Sequence, residues 1–469
     1  MDKRNHARRN AARWSVSASL VASAAALFAS GAAGAADGEL DPTFGTGGFS
    51  LSGLTTATFE LPSKPLVLAD GRILVCSGVD SGGPSGTDFF IERFNADGSP
   101  DTTFNFDGKV TIDFDSRRDG CNALAVQADG KIIAVGTSAD TVDFNGDFAI
   151  ARLDEDGTLD PTFGAGTGES IVPFDLGGTN SDTAGAVAMQ PDGKIVVSGW
   201  ATTGATGYDF AVVRLLPDGT RDTTFNSTGR VTVAFDFAGT DGVDQCDAVL
   251  VDDDGNILLG GIAEVALGSF DFAVARLLPT GQLDHNFDAD GRATIGFDLG
   301  NTASDISYQT ILQRDGKIVM VGAADSGSGT INDDVAIARL LGDGSPDPDF
   351  GVGGKVTVPF DLITNGNEVA TGVVEDSAGR IVVVGAAVAD ASSNFRSFGV
   401  RLLADGALDA SFGAFGKKVY DFGGDADLFT GVAMQGTQII AFGQKTTGSD
   451  VDDFVTRLQV DLIFANGFE

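Results

Sequence analysis

The stretch RLDEDGTLDPTFG, Arg152–Gly164, decides the fold, because near-copies of it recur along the chain. RFNADGSPDTTFN begins at Arg93, RLLPDGTRDTTFN at Arg214 and RLLADGALDASFG at Arg401. The phenylalanine of the phrase stands at Phe44, Phe104, Phe163, Phe225, Phe287, Phe350 and Phe412, in steps of 59 to 63 residues. An aspartate three residues earlier (Asp41, Asp101, Asp160, Asp222, Asp284, Asp347, Asp409) and an arginine (Arg93, Arg152, Arg214, Arg276, Arg339, Arg401, Arg457) keep step with it. So steady a period means one supersecondary unit stacked many times.

Each unit reads as four strands. In the fourth they are VTVAF (Val231–Phe235), DAVLV (Asp247–Val251), NILLGG (Asn256–Gly261) and FAVARL (Phe272–Leu277). The glycine-ended strand, repeated as KIIAVG from Lys131 and KIVVSG from Lys194, is almost continuously apolar, as a strand covered on both faces must be. Asp129-Gly130, Asp192-Gly193, Asp254-Gly255 and Asp315-Gly316 sit between apolar runs and mark tight hairpins. Glycine, at 65 residues, is plentiful enough for many such turns. Beyond the first 36 residues no segment shows a helical period. Seven units of four strands predict an all-β chain, a seven-bladed β-propeller of four-stranded antiparallel blades. A β-solenoid competes, but its coils repeat at about 20–30 residues. If the apolar strand is the innermost of each blade, FSLSG (Phe49–Gly53) and the strand near Leu66 together complete the last blade, leaving no open edge.

The phrase DGxLDxTFGxxG, followed by xQxDGKIVVxG and DFAxxRL, resembles the delta-60 repeat of exported bacterial proteins. The resemblance covers nearly the whole chain after the first 36 residues. It implies a propeller-like fold and no defined activity. The tail DLIFANGFE (461–469) is similar to short C-terminal endings of some exported gammaproteobacterial proteins, or is a worn remnant of the repeat.

Residues 1–36 have a basic start (Lys3, Arg4, Arg8, Arg9, Arg13), an apolar run SVSASLVASAAALFA and an Ala33-Gly34-Ala35 cleavage pattern, the layout of a secretory signal peptide. Cleavage near Ala35 or Ala36 leaves a mature propeller over 37–460 and a short tail, with no membrane span, and points to a secreted, cell-surface or periplasmic protein. The leader holds five Lys/Arg and one acid, so the mature chain is more negative still than the full chain's −36. Such a surface excludes nucleic acid and anionic membrane as partners. Cys76, Cys121 and Cys246 are an odd set without CxxC spacing, too few for a disulfide framework. A Cys121–Cys246 bond is not expected, because their repeats are not neighbours.

A residue present in every unit serves the architecture, because a functional site rarely needs seven copies. We expect each Arg to reach the Asp or a nearby carbonyl, and each Phe to fill the gap between blades. In a meander the D-G turns and the phrase share one face of the ring, and the variable connections share the other, where a ligand is expected. Two features stand there. Asp115, Asp175, Asp236, Asp298 and Asp361 recur at a strand end; they would suit Ca²⁺, or cap their own loops through backbone bonds. Trp200 and Tyr208 bound the loop WATTGATGY and would stack on a sugar or peptide, or simply pack. No cofactor other than Ca²⁺ suggests itself. His285 is the single histidine after the leader, which removes a Ser-His-Asp triad and multi-histidine metal sites. The expectation is a non-catalytic, monomeric binding or structural module with an extracellular protein or glycan ligand. The alternative is a carbohydrate-active hydrolase or lyase using paired carboxylates.

Overall fold

The computed structural model describes residues 37–52, 63–80, 86–141, 145–177, 179–204, 207–235, 237, 242–299, 304–326, 332–364, 366–392, 394–448 and 450–460. The leader, whose cleavage is expected, and the tail lie outside the described residues. The described residues form one compact unit.

Every described element of regular structure is a strand, from β1 (Phe49–Leu51) to β28 (Asp450–Leu458), and these form seven four-stranded antiparallel sheets. Blade 1 runs β2 (Leu66–Val67), β3 (Ile73–Asp80), β4 (Thr87–Phe94) and β5 (Lys109–Ile112) in spatial order. The next five blades repeat that meander. Blade 7 is composite: β26 (Ala426–Gln435), β27 (Gln438–Thr447) and β28 come from the chain's end, and β1 pairs with β28 through Phe49↔Thr456 and Leu51↔Phe454. The ring is a closed seven-bladed β-propeller. Among the described residues no helix is long and apolar enough to cross a membrane.

Two details differ from the expectation. The apolar strand is second from the axis, not innermost; β3, for instance, pairs with β2 on one side and β4 on the other. One amino-terminal strand, not two, completes the last blade, because the strand at Leu66 opens blade 1. Correspondingly VTVAF is the outer edge of the third blade, where Arg230–Val233 pairs with Val213–Phe210. A second strand has hydrogen-bonded neighbours on both sides and a blade against each face, so its middle is almost continuously apolar, with polar residues such as Ser138 and Gln444 towards its end. An innermost strand borders the channel and can carry polar ones.

There is no single core. Seven apolar clusters each straddle two adjacent blades, including one across the closure, where Phe44, Ile440, Phe442 and Val455 of blade 7 meet Ile73, Val75 and Phe94 of blade 1. Burying about 25 cal/mol per Å² of apolar surface at every junction, the last included, makes the closed ring the stable form. One covalent bond adds to this: Cys76 of β3 is joined to Cys121 of β6 (Arg118–Val126), linking blades 1 and 2. Cys246 is free and buried, and burial pushes its thiol up to about 12.

Candidate functional site

The repeated phrase forms the joints between blades. Arg214 donates from Nε to Asp222 at 2.8 Å and from Nη1 to the carbonyl of Pro279, in the next blade's turn, at 2.6 Å. Arg276 does the same with Asp284 and Gly342 at 2.8 and 2.6 Å. At the closure Arg457 holds Asp41 at 2.8 Å and the Ala96 carbonyl at 2.9 Å. Both expected partners of the arginine are therefore used at once, one in its own blade and one in the next. Each guanidinium also lies over the phrase's phenylalanine, 4.6 Å from the ring centre for Arg214 over Phe225. That ring presses on the glycine of the next blade's phrase: a Cβ at Gly281 would meet Phe225 at 2.9 Å, and the residue's φ of +88° disfavours an ordinary side chain as well. A backbone bond completes the joint, as from Gly164 N–H to Asp218 O at 2.9 Å. These bonds keep the carboxylates ionised. Burial opposes it, yet the Thr43 hydroxyl and N–H and the Arg457 guanidinium hold Asp41 down at about 2.

The opposite face also carries buried acids, arranged differently. Asp119, Asp182, Asp305 and Asp427, all essentially inaccessible, accept the N–H of Phe114 (2.8 Å), Phe174 (2.7 Å), Phe297 (2.5 Å) and Phe422 (3.0 Å), closing the connection between blades. Asp244 does this for Phe235 and Glu368 for Asp361. For Asp119, Asp182, Asp305 and Glu368 the neighbours from the adjacent blade are again carboxylates, whereas Asp427 faces Arg396. Burial, chiefly, and then Asp147 push Asp182 up to about 6. Burial, with Asp305 and Asp298, pushes Asp271 to about 6, and burial with Asp334 and Asp361 pushes Glu368 to about 7. Sequence reading passed over this series although it keeps the period, in steps of 59 to 63 residues, because it lies outside the quoted phrase among 66 acidic residues and follows its loop's phenylalanine by a varying five to nine residues.

The channel takes one residue from the β-bulge in six innermost strands: Asn122, Gly185, Asp247, Tyr308, Thr371 and Thr430. A bulge re-aims its extra residue. A cavity of about 220 Å³ lies here with Lys64 on its wall. Burial pulls Lys64 down to about 8 and pushes Asp247 up to about 7, each opposed by the other's charge. At the variable face, a cleft of about 480 Å³ between the fifth and sixth blades is lined by Tyr308, Asp325, Asp333, Asn367, Glu368 and Phe395. Tyr308 is 40% exposed, and Asp333 accepts a raised pKa from burial and from Asp325 and Asp334.

Asp115, Asp175, Asp298 and Asp361 are exposed and left-handed, with φ of 56°, 49°, 52° and 47°. Each ends the outer edge of a different blade. Among the described residues the only three acids close enough to share an ion are Asp88, Asp113 and Asp119, so the structure does not bring the strand-end set together. Asp236 lies outside the described residues. Trp200 and Tyr208 are half-buried and belong to strands, Ile195–Thr203 and Gly207–Leu215, rather than to a long loop. The two central strands of a blade outrun the others, so Trp200 still pairs with Phe210 and Tyr208 with Thr202.

A family model described as a domain of unknown function (DUF5122) beta-propeller matches residues 68–104, 127–163, 190–225, 253–287, 313–350 and 379–412. The six matches support a propeller repeat family and fall on the D-G turn, the two central strands and the phrase. No curated protein matches the chain. Solved structures similar to it include an α-L-arabinofuranosidase from Fusarium graminearum with an iminosugar inhibitor (TM-score 0.43, 11% identity, 71% of this chain and 92% of that one). A polysaccharide lyase, an ulvan lyase, gives 0.47 and 11% over 87% and 93%. A protein of unknown function from Dyadobacter fermentans gives 0.39 and 11% over 90% and 100%. At these values the likenesses bear on neither activity nor substrate.

Proposed function

We propose that this chain is an exported, non-catalytic binding propeller of the delta-60 kind, with its ligand seated in the variable-face cleft between the fifth and sixth blades. The observation that carries the reading is that cleft's lining. Tyr308 stands where the other bulged strands place Asn122, Gly185, Asp247, Thr371 and Thr430, so an aromatic ring appears here and nowhere else in the series. Tyr308 and Phe395 supply apolar faces, while Asp325, Asp333 and Asn367 supply oxygen and amide partners, a combination suited to a glycan or a basic peptide. Export is supported by the leader's layout and by the Cys76–Cys121 bond, which belongs in an oxidising compartment.

The carboxylates of the cleft are the feature a hydrolase or lyase would use. Glu368, though, is one copy of the loop-closing acid found at Asp119, Asp182, Asp244, Asp305 and Asp427, which explains its burial without catalysis. The test is a glycan and peptide array with turnover assayed in parallel. Binding that falls about tenfold or more in Tyr308→Ala, at unchanged melting temperature and without product, is expected. Product formation abolished by Glu368→Gln would establish the enzyme instead.

A further inference from the structure

We propose a divalent-cation site of the calcium type at the junction of blades 1 and 2, held by Asp88, Asp113 and Asp119. It is independent of the ligand cleft and of the strand-end aspartates.

The three acids come from three elements: Asp88 from β4, Asp113 from the turn after β5, and Asp119 from β6. One oxygen of each lies within 4.8 Å of the others. Two ligands each about 2.3–2.6 Å from one Ca²⁺ stand at most about 5 Å apart, so the spacing fits a single hard cation. Asp88 and Asp119 are 5% and 0% exposed, and Oδ1 of each lacks a hydrogen-bond donor. The other oxygen of Asp119 already accepts the Phe114 N–H at 2.8 Å. The Ser138 hydroxyl beside Asp119, also buried and without a partner of good geometry, offers a fourth oxygen. Arg117, on the same turn, is spent on Asp147 at 3.0 Å and on two carbonyls. Two facing carboxylates sealed from water with unmet oxygens are costly unless a cation joins them.

Asp113 is what sets this junction apart. The same position, one residue before the loop phenylalanine, holds Pro173, Ala234, Gly296 and Pro359 in the following blades. Asp421 stands there before blade 7, but Arg396 then replaces the Asp88 equivalent and pairs with Asp421 instead. Asp113 is exposed and gives the ion its entry. Blade 1 needs the clamp most, since its innermost strand is two residues long.

The experiment is calorimetric titration of the full chain with CaCl₂ after chelator treatment, with melting curves recorded alongside. One ion per chain and a higher melting temperature in calcium are expected. Asp113→Asn, at an exposed position, should weaken binding about tenfold or more and remove the calcium-dependent shift. Asp115→Asn, which suits the left-handed backbone there, should leave both unchanged. Absence of binding to the wild type, undiminished binding in Asp113→Asn, or equal loss in Asp115→Asn would each overturn the proposal.

Discussion

The two faces of the ring bury carboxylates at the same junctions and treat them in opposite ways. On the face of the repeated phrase each aspartate meets a guanidinium, as Asp222 meets Arg214 at 2.8 Å, and stays charged. On the other face acid meets acid, as Asp271 meets Asp305, and burial with mutual repulsion favours the protonated form. A repeat can therefore conserve an acid at two places for two reasons: as an anion that locks blades together, and as an oxygen that accepts a backbone N–H and closes a loop.

The largest effect expected concerns closure, on which both faces depend. A chain beginning after Ser52 lacks β1, Phe44, Asp41 and Asp37, leaving β28 as an open edge, Arg457 without Asp41, and Arg401 with Asp409 but without Asp37. It should fail to give a soluble cooperative fold, read by size exclusion and circular dichroism. Next comes the joint itself. Arg214→Ala leaves Asp222, 3% exposed, with only the more distant Lys194 at 3.6 Å and should cost about 3 kcal/mol in denaturant unfolding. Arg214→Lys keeps the charge but cannot hold Asp222 and the Pro279 carbonyl together, and should fall between the two. Reducing the Cys76–Cys121 bond should cost about 2–4 kcal/mol, with unfolding beginning at the junction of blades 1 and 2.

The smallest effect, and the sharpest comparison, is in pH. Asp182, Asp271 and Asp305 have folded values near 6 and Glu368 near 7, above their unfolded values of about 4. Their contribution is complete below about pH 4 and is lost as pH rises through 6 to 7. Asp41, at about 2, acts in the reverse sense: its contribution is present above about pH 4 and is lost as pH falls towards 2. The melting temperature should peak near pH 4–5 and decline on both sides.

The fold was readable because its signals keep step: the D-G turns, the apolar second strand, and Arg, Asp and Phe in fixed register. Where a blade begins was not readable, since a four-strand repeat looks the same from any starting strand. Only hydrogen bonding tells whether Val231–Val233 joins the strand before it or the one after. The Cys76–Cys121 bond escaped for a similar reason. The two cysteines occupy different strands of their units and meet only when β3 and β6 lie side by side across a junction. Asp119, Asp182, Asp244 and Asp305 each stand ten residues before the Asp of a D-G turn, but outside the quoted phrase they were lost among 66 acidic residues. Trp200 and Tyr208 drew attention by rarity, whereas Tyr308 differs from its repeat-mates at one bulge and becomes visible only when the strands are superposed.

One pair of substitutions probes the two-faced ring most directly. Asp222→Asn and Asp271→Asn each remove one negative charge with almost no change of shape, on opposite faces, and melting temperatures at pH 7.5 compare them. The first should melt lower than wild type, because Arg214 loses its counter-charge; the second should melt at or above wild type, because repulsion with Asp305 is relieved. Equal losses from both, or a loss from Asp271→Asn alone, would contradict it.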